Sequence, residues 1–177
     1  QANAVKLQQM LDRLEALSRR KAAEKHDPAA KRKPLPDLPP VPDRGFVSQK
    51  GRMKMPVKGD IIETYGKHKH PEFNSYTFSK GIVIAASVGT EVHAIYEGTV
   101  IFANYFKGYG NMIIIDHGGG YFSLYAYASR ITRKVGADVA KGDVIAAVGD
   151  VDSSKGPALY FEIRHQGKPV DPGGWVR

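Results

Sequence analysis

Six of the chain's 11 prolines, Pro28, Pro34, Pro36, Pro39, Pro40 and Pro42, crowd into one short stretch of the 177 residues. Proline fixes φ and lacks a backbone N–H, so neither a helix nor a central strand can run through such a stretch. Residues 27–50 are therefore read as a linker, extended and semi-rigid in the manner of polyproline. The linker divides the chain into an N-terminal segment, 1–26, and a domain, 51–177.

The segment ahead of the prolines has helical spacing. Leu7, Met10, Leu14 and Leu17 recur in alternating steps of three and four, with Asp12, Arg13, Glu15 and Arg19 outside that stripe. A helix over 3–26 is predicted. Two heptads are too few to stand alone, so the segment reads as a frayed amphipathic helix or, in the favoured reading, as the end of a longer coiled coil. Arg19, Arg20 and Lys21 suit the negative end of a helix dipole.

From Gly51 onward the period changes to two, in short runs separated by turn formers. Strands are expected at Asp60–Tyr65, Gly81–Ala85, Glu91–Ala94, Gly98–Tyr105, Asn111–Asp116, Tyr121–Tyr127, Val144–Val148 and Leu159–Arg164. Gly118, Gly119 and Gly120 mark a tight hairpin between two of them. The fold class is all-β: an antiparallel sheet folded on itself as a sandwich, preceded by the helix and the proline-rich linker.

The net charge of +8 would suit nucleic acid, but its distribution does not. Residues 1–58 hold 14 Lys and Arg against 6 Asp and Glu, whereas 59–177 hold 12 of each. No nucleic-acid partner is expected, and the basic tail better suits an anionic membrane or an acidic wall polymer. The absence of cysteine excludes disulfides and thiolate metal sites. No apolar run approaches the roughly 20 residues that span a bilayer. A chain beginning with Gln1 rather than Met is expected to be a processed product or a piece of a longer protein, with any signal peptide outside it.

One run concentrates the functional information: Gly156-Pro157-Ala158-Leu159-Tyr160-Phe161-Glu162-Ile163-Arg164. Leu159, Phe161 and Ile163 share one face of a strand, and Ala158, Tyr160, Glu162 and Arg164 share the other. The second face mixes aromatic and charged groups, as a binding surface does. The run resembles the strand of lysostaphin/LytM-type zinc endopeptidases in which a His-x-His pair precedes Phe-Glu. Further similarity runs in order from about Val57 to the end. Phe78-Ser79-Lys80-Gly81-Ile82-Val83-Ile84 is similar to the family's His-x-Gly-Ile-Asp-Ile. Gly89-Thr90-Glu91-Val92-His93-Ala94 with Gly98-Thr99-Val100, Tyr109-Gly110-Asn111, and Leu124-Tyr125-Ala126-Tyr127 follow suit.

At each position where the resemblance implies chemistry, this sequence departs. Ser79, Val83, Tyr127, Ala158 and Tyr160 stand where the family has its ligand and catalytic residues. Catalytic zinc needs about three N, O or S ligands and an open position, and valine and alanine have no lone pairs to give. No metal, no other cofactor and no catalytic residue is expected. His68 and His70 lie between lysines, His93 in a strand and His117 at a turn, and none pairs with a carboxylate at ligand spacing.

A groove without its metal is expected to bind a protein, through Lys80, Val83, Tyr109, Tyr125, Tyr127, Tyr160 and Arg164. Within the family the resemblance is to the EnvC-like murein hydrolase activators, in the Leu-Tyr-Phe-Glu-Ile-Arg run, the Leu-Tyr-x-Tyr pair, the Lys-Gly-x-Val-Ile segment and the Gly-Tyr-Gly loop. It implies a non-catalytic activator of an N-acetylmuramoyl-L-alanine amidase in the Gram-negative periplasm, acting in cell division and separation. It also implies inner-membrane division proteins as partners of the coiled coil, and leaves peptidoglycan as a further candidate. Two alternatives stand beside this reading: a zinc-dependent peptidoglycan endopeptidase with unusual ligands, and a peptidoglycan-binding anchor module.

Overall fold

The computed structural model describes residues 2–26 and 42–177, so most of the expected linker lies outside the described residues. The helix α1 spans Ala2–His26. Thirteen strands follow among the described residues. They are β1 (Asp60–Glu63), β2 (Gly66–Lys69), β3 (Tyr76–Ser79), β4 (Ile82–Ala85), β5 (Glu91–His93), β6 (Gly98–Phe106) and β7 (Gly110–Gly118). Then come β8 (Tyr121–Ala128), β9 (Arg130–Ile131), β10 (Asp138–Val139), β11 (Val144–Ala147), β12 (Ala158–His165) and β13 (Lys168–Val170). Every strand pairing is antiparallel. The largest sheet runs β1-β4-β12-β8-β7-β6-β10 with β13 beside β12, and a second sheet runs β5-β11-β9. No helix of the described residues is long and apolar enough to cross a membrane.

All eight strands read from the sequence are present, and the expected fold class holds. The hairpin β2–β3 is not among the expected strands: Lys67-His68-Lys69-His70 carries no apolar alternation, and the burial pattern of the hairpin is correspondingly open. The turn between β7 and β8 bears out the glycine signal. Gly118, Gly119 and Gly120 all have positive φ (81°, 64° and 83°), a conformation that costs glycine nothing.

The domain begins earlier than Gly51. Phe46, placed by the sequence in the linker, is fully buried in a short 3-10 helix, Phe46–Gln49. Its ring stacks on His117 at 4.5 Å and on Trp175 at 5.1 Å. Backbone bonds between Gly51 and Trp175, and between Met53 and Arg177, tie this entry segment to the C-terminal residues.

Apolar side chains cover both faces of the large sheet. On one face Ile82, Ile84, Ile113, Ile115, Tyr125, Leu159, Phe161 and Ile163 pack with Val92 and Ile145 of the smaller sheet and with Val148 just past β11. On the other, Val83, Met112, Ile114, Phe122, Leu124, Ala126, Ala158 and Tyr160 pack against Leu7 and Leu11 of α1. The buried stripe of α1 is thus Leu7, Leu11 and Glu15, in steps of four, rather than the heptad stripe expected from Leu7, Met10, Leu14 and Leu17. Met10, Leu14 and Leu17 are half-buried. Leu7 and Leu11, with Met10 beside them, pack on the domain itself.

His117 gives the core an acid-sensitive point. Its Nδ1 meets the Glu97 carbonyl at 2.8 Å and its Nε2 meets Ser123 Oγ at 2.6 Å, with Ser123 Oγ 2.9 Å from the Tyr125 hydroxyl. Burial pushes the His117 pKa down from 6.5 to about 4. Between those values the unfolded chain takes up a proton that the folded chain refuses, so stability falls as the pH drops through that window. The loss amounts to about 3 kcal/mol once the pH is below 4. Denaturant midpoints measured from pH 7 to pH 4 should show this fall, and His117→Gln should flatten that part of the curve.

Candidate functional groove

The positions read from the sequence as vestigial converge on the outer face of the large sheet. In β12, alternation sends Ala158, Tyr160, Glu162 and Arg164 to that face, as the sequence predicts. Val83 of β4 lies opposite Tyr160 in register. Tyr109, in the turn between β6 and β7, brings its ring centroid to 5.8 Å from that of Tyr160, and the Tyr127 ring lies 5.7 Å away on the other side. A bond from Tyr127 N–H to the Tyr109 carbonyl at 2.7 Å ties the two flanking tyrosines together. Ser79 and Lys80 stand half-buried at the lip, where Ser79 Oγ donates to the Gly81 carbonyl.

Tyr125 does not join them. Fully buried on the inner face, it accepts a hydrogen bond from Ile95 N–H at 3.1 Å through its hydroxyl. A two-residue period puts Tyr125 and Tyr127 on one face, but Tyr127 has φ of 67° and the alternation breaks there. That break brings the Tyr127 ring to the groove while Tyr125 stays in the core.

Beneath the tyrosines lies a buried polar string. Tyr160 Oη donates to Glu162 Oε2 at 2.7 Å, and Arg164 Nε donates to Glu162 Oε1 at 2.7 Å. Arg164 Nη1 donates to the Gly167 carbonyl and to Gln8 Oε1 of α1, and Gln8 Nε2 donates to the Gly167 carbonyl at 2.8 Å. Arg164 Nη2 is buried with no hydrogen-bond partner. The sequence reading left Tyr160 and Arg164 on an open surface. They are instead 9% and 1% exposed, because α1 lies over them.

A sign of that cover was available in β7. Met112-Ile113-Ile114-Ile115 is apolar without alternation, the pattern of a strand buried on both faces. Something had to cover the outer one. Gln8, Leu7 and Leu11 are the residues over the groove whose docking there is not apparent from the sequence.

The groove does not fit a zinc ion. Val83 and Ala158 offer no lone pair, and tyrosine ligates as phenolate, which this site disfavours. Burial, reinforced by the Glu162 charge, pushes the Tyr109 pKa up to about 12 and also raises that of Tyr160. Burial likewise raises that of Tyr127. Among the described residues, no three His, Cys, Asp or Glu side chains gather as a metal-binding group. What the groove offers is an apolar floor, three protonated phenols and a guanidinium.

Residues 77–172 match Peptidase family M23. Among similar proteins is the murein hydrolase activator EnvC of Escherichia coli, 41% identical over 132 residues, covering 75% of this chain and 30% of that protein. The E. coli murein hydrolase activator NlpD is 38% identical over 120 residues, covering 67% of this chain and 30% of that protein. The chain thus spans about a third of the length of these relatives. Among solved structures, a zinc-containing peptidase from Vibrio cholerae superposes with a TM-score of 0.64 at 28% identity, over 70% of this chain and 40% of that one.

Proposed function

The chain belongs to peptidase family M23, and we propose that it is a non-catalytic member that activates an N-acetylmuramoyl-L-alanine amidase through the groove. Lys80, Val83, Tyr109, Tyr127, Tyr160 and Arg164 form the binding surface in this reading, and Tyr125 supports it from below. The observation that carries the proposal is α1 itself. An amphipathic helix already occupies the groove, with Leu7 and Leu11 on the apolar floor and Gln8 on Arg164. A surface that holds one such helix is shaped to hold another.

The partner is then a helix of the amidase, drawn from a position in which it blocks that enzyme's own active site. Activation follows by population shift, because the groove binds the open amidase better than the closed one. Arg164 Nη1, released from Gln8, and the unpartnered Nη2 would together present a fork to a carboxylate on the incoming helix. Relatives named as murein hydrolase activators support the regulatory role and an extracytoplasmic setting, the periplasm of a Gram-negative bacterium. Tethering to inner-membrane division proteins would fall to chain N-terminal to the groove domain.

A dye-release assay on labelled murein tests the proposal. Alone, with zinc supplied, the chain should release no dye; added to an amidase, it should raise release several-fold. Chelator-sensitive release by the chain alone would instead establish an endopeptidase.

A further inference from the structure

On the side of the domain away from α1, the segment preceding β1, strand β5 and the turn before β11 enclose a concavity of about 710 Å3. None of its lining residues belongs to the cluster that α1 covers. Its walls are tied by backbone bonds, from His93 N–H to the Pro56 carbonyl at 2.8 Å and from Gly142 N–H to the Ala94 carbonyl at 2.9 Å. Three exposed ammonium groups, Lys54, Lys58 and Lys141, line it against a single carboxylate, Glu91. Among the described residues none of the three lysines forms an ion pair. His93 is half-buried in the wall, where its Nδ1–H donates to the Gly142 carbonyl at 2.9 Å and leaves Nε2 free to meet a ligand. Buried Ile95 contributes to an apolar floor.

We infer that this concavity is a second binding site, separate from the groove, for an acidic peptide with small apolar side chains: the stem peptide of murein. Its volume lies in the range of small-ligand sites, roughly 300–1,000 Å3. Cations around a low-dielectric hollow focus a positive potential where several carboxylates could settle, and the floor suits methyl groups. The choice of murein as their source rests on the function proposed above. A chain held to the wall polymer by this face would keep the opposite face, with the groove, turned to its protein partner.

The full chain titrated with the disaccharide tetrapeptide that a muramidase releases from murein tests the site. Saturable binding is expected, with amide resonances of 54–58, 91–95 and 140–142 shifting. The triple variant Lys54→Gln, Lys58→Gln, Lys141→Gln should bind at least tenfold more weakly. The same charge loss at the exposed Lys107, Lys134 and Lys155 should leave binding unchanged, and methyl esters of the peptide's carboxyl groups should weaken it at least tenfold. Absence of binding at millimolar peptide, equal binding by the pocket triple, or displacement by millimolar inorganic phosphate would overturn the assignment. Amidase stimulation is read separately. A failed functional reading would appear as absent stimulation with muropeptide binding intact, and a failed pocket as the reverse.

Discussion

Arg164→Met should lower the stability of the domain by about 3–5 kcal/mol, among the largest costs that one substitution here can carry. Arg164 is 1% exposed and Glu162 is 0% exposed, so the carboxylate depends on the guanidinium rather than on bulk water for its neutralisation. Removing the arginine strands Glu162 with one donor, the Tyr160 hydroxyl at 2.7 Å. It also deprives Gln8 and the Gly167 carbonyl of their shared cation. For a chain of this length the loss corresponds to a fall in Tm of roughly 6–20 °C. The double variant Glu162→Gln/Arg164→Met should recover much of it, since replacing both charges is far cheaper than stranding one. Tyr160→Phe forfeits only a hydrogen bond to a charged group and should cost about 1.5–3 kcal/mol. Thermal denaturation of the four proteins settles the matter; a parental Tm for Arg164→Met would mean that the groove's polar string is not buried in solution.

These costs differ from what β12 suggested when read alone, and the reason is local against distant information. Alternation in Ala158–Arg164 assigned every side chain to its proper face, because one strand's period suffices for that. What lies over a face is decided by another part of the chain, and more than 150 residues separate Gln8 from Arg164. The helix was legible, and its docking surface was not. Leu7 fits both the heptad stripe and the four-step stripe, and only contact with Val83, Met112 and Ile114 selects the latter. Phe46 was hidden for the opposite reason, since its neighbours on the N-terminal side are prolines while its partners, His117 and Trp175, lie far along the sequence. The chemistry at the positions read as vestigial needs no structure, because Val83 and Ala158 have no lone pair wherever they lie.

Displacing α1 should tighten amidase binding about a hundredfold. Leu7 and Leu11 are 0% and 1% exposed, and burial of each such side chain is worth about 1.5–3 kcal/mol. Part of that is offset by the entropy of ordering the helix. A net preference for the docked state of about 2.7 kcal/mol leaves roughly one molecule in a hundred with an open groove, and apparent affinity for an external helix falls by the same factor. Leu7→Glu/Leu11→Glu would place two carboxylates on the apolar floor of Met112, Ile114 and Phe122, which is unfavourable enough to hold α1 away. Neither residue belongs to the surface assigned to the partner, so the variant removes the competitor and keeps the site. Its dissociation constant for the amidase should drop, and dye release should reach its plateau at correspondingly lower concentration. Adding Val83→Glu to the same background should abolish both gains by putting the charge on the groove instead. Equal affinity in parent and double variant would show that α1 does not compete for the groove. Tighter binding that survives Val83→Glu would move the partner site elsewhere on the domain.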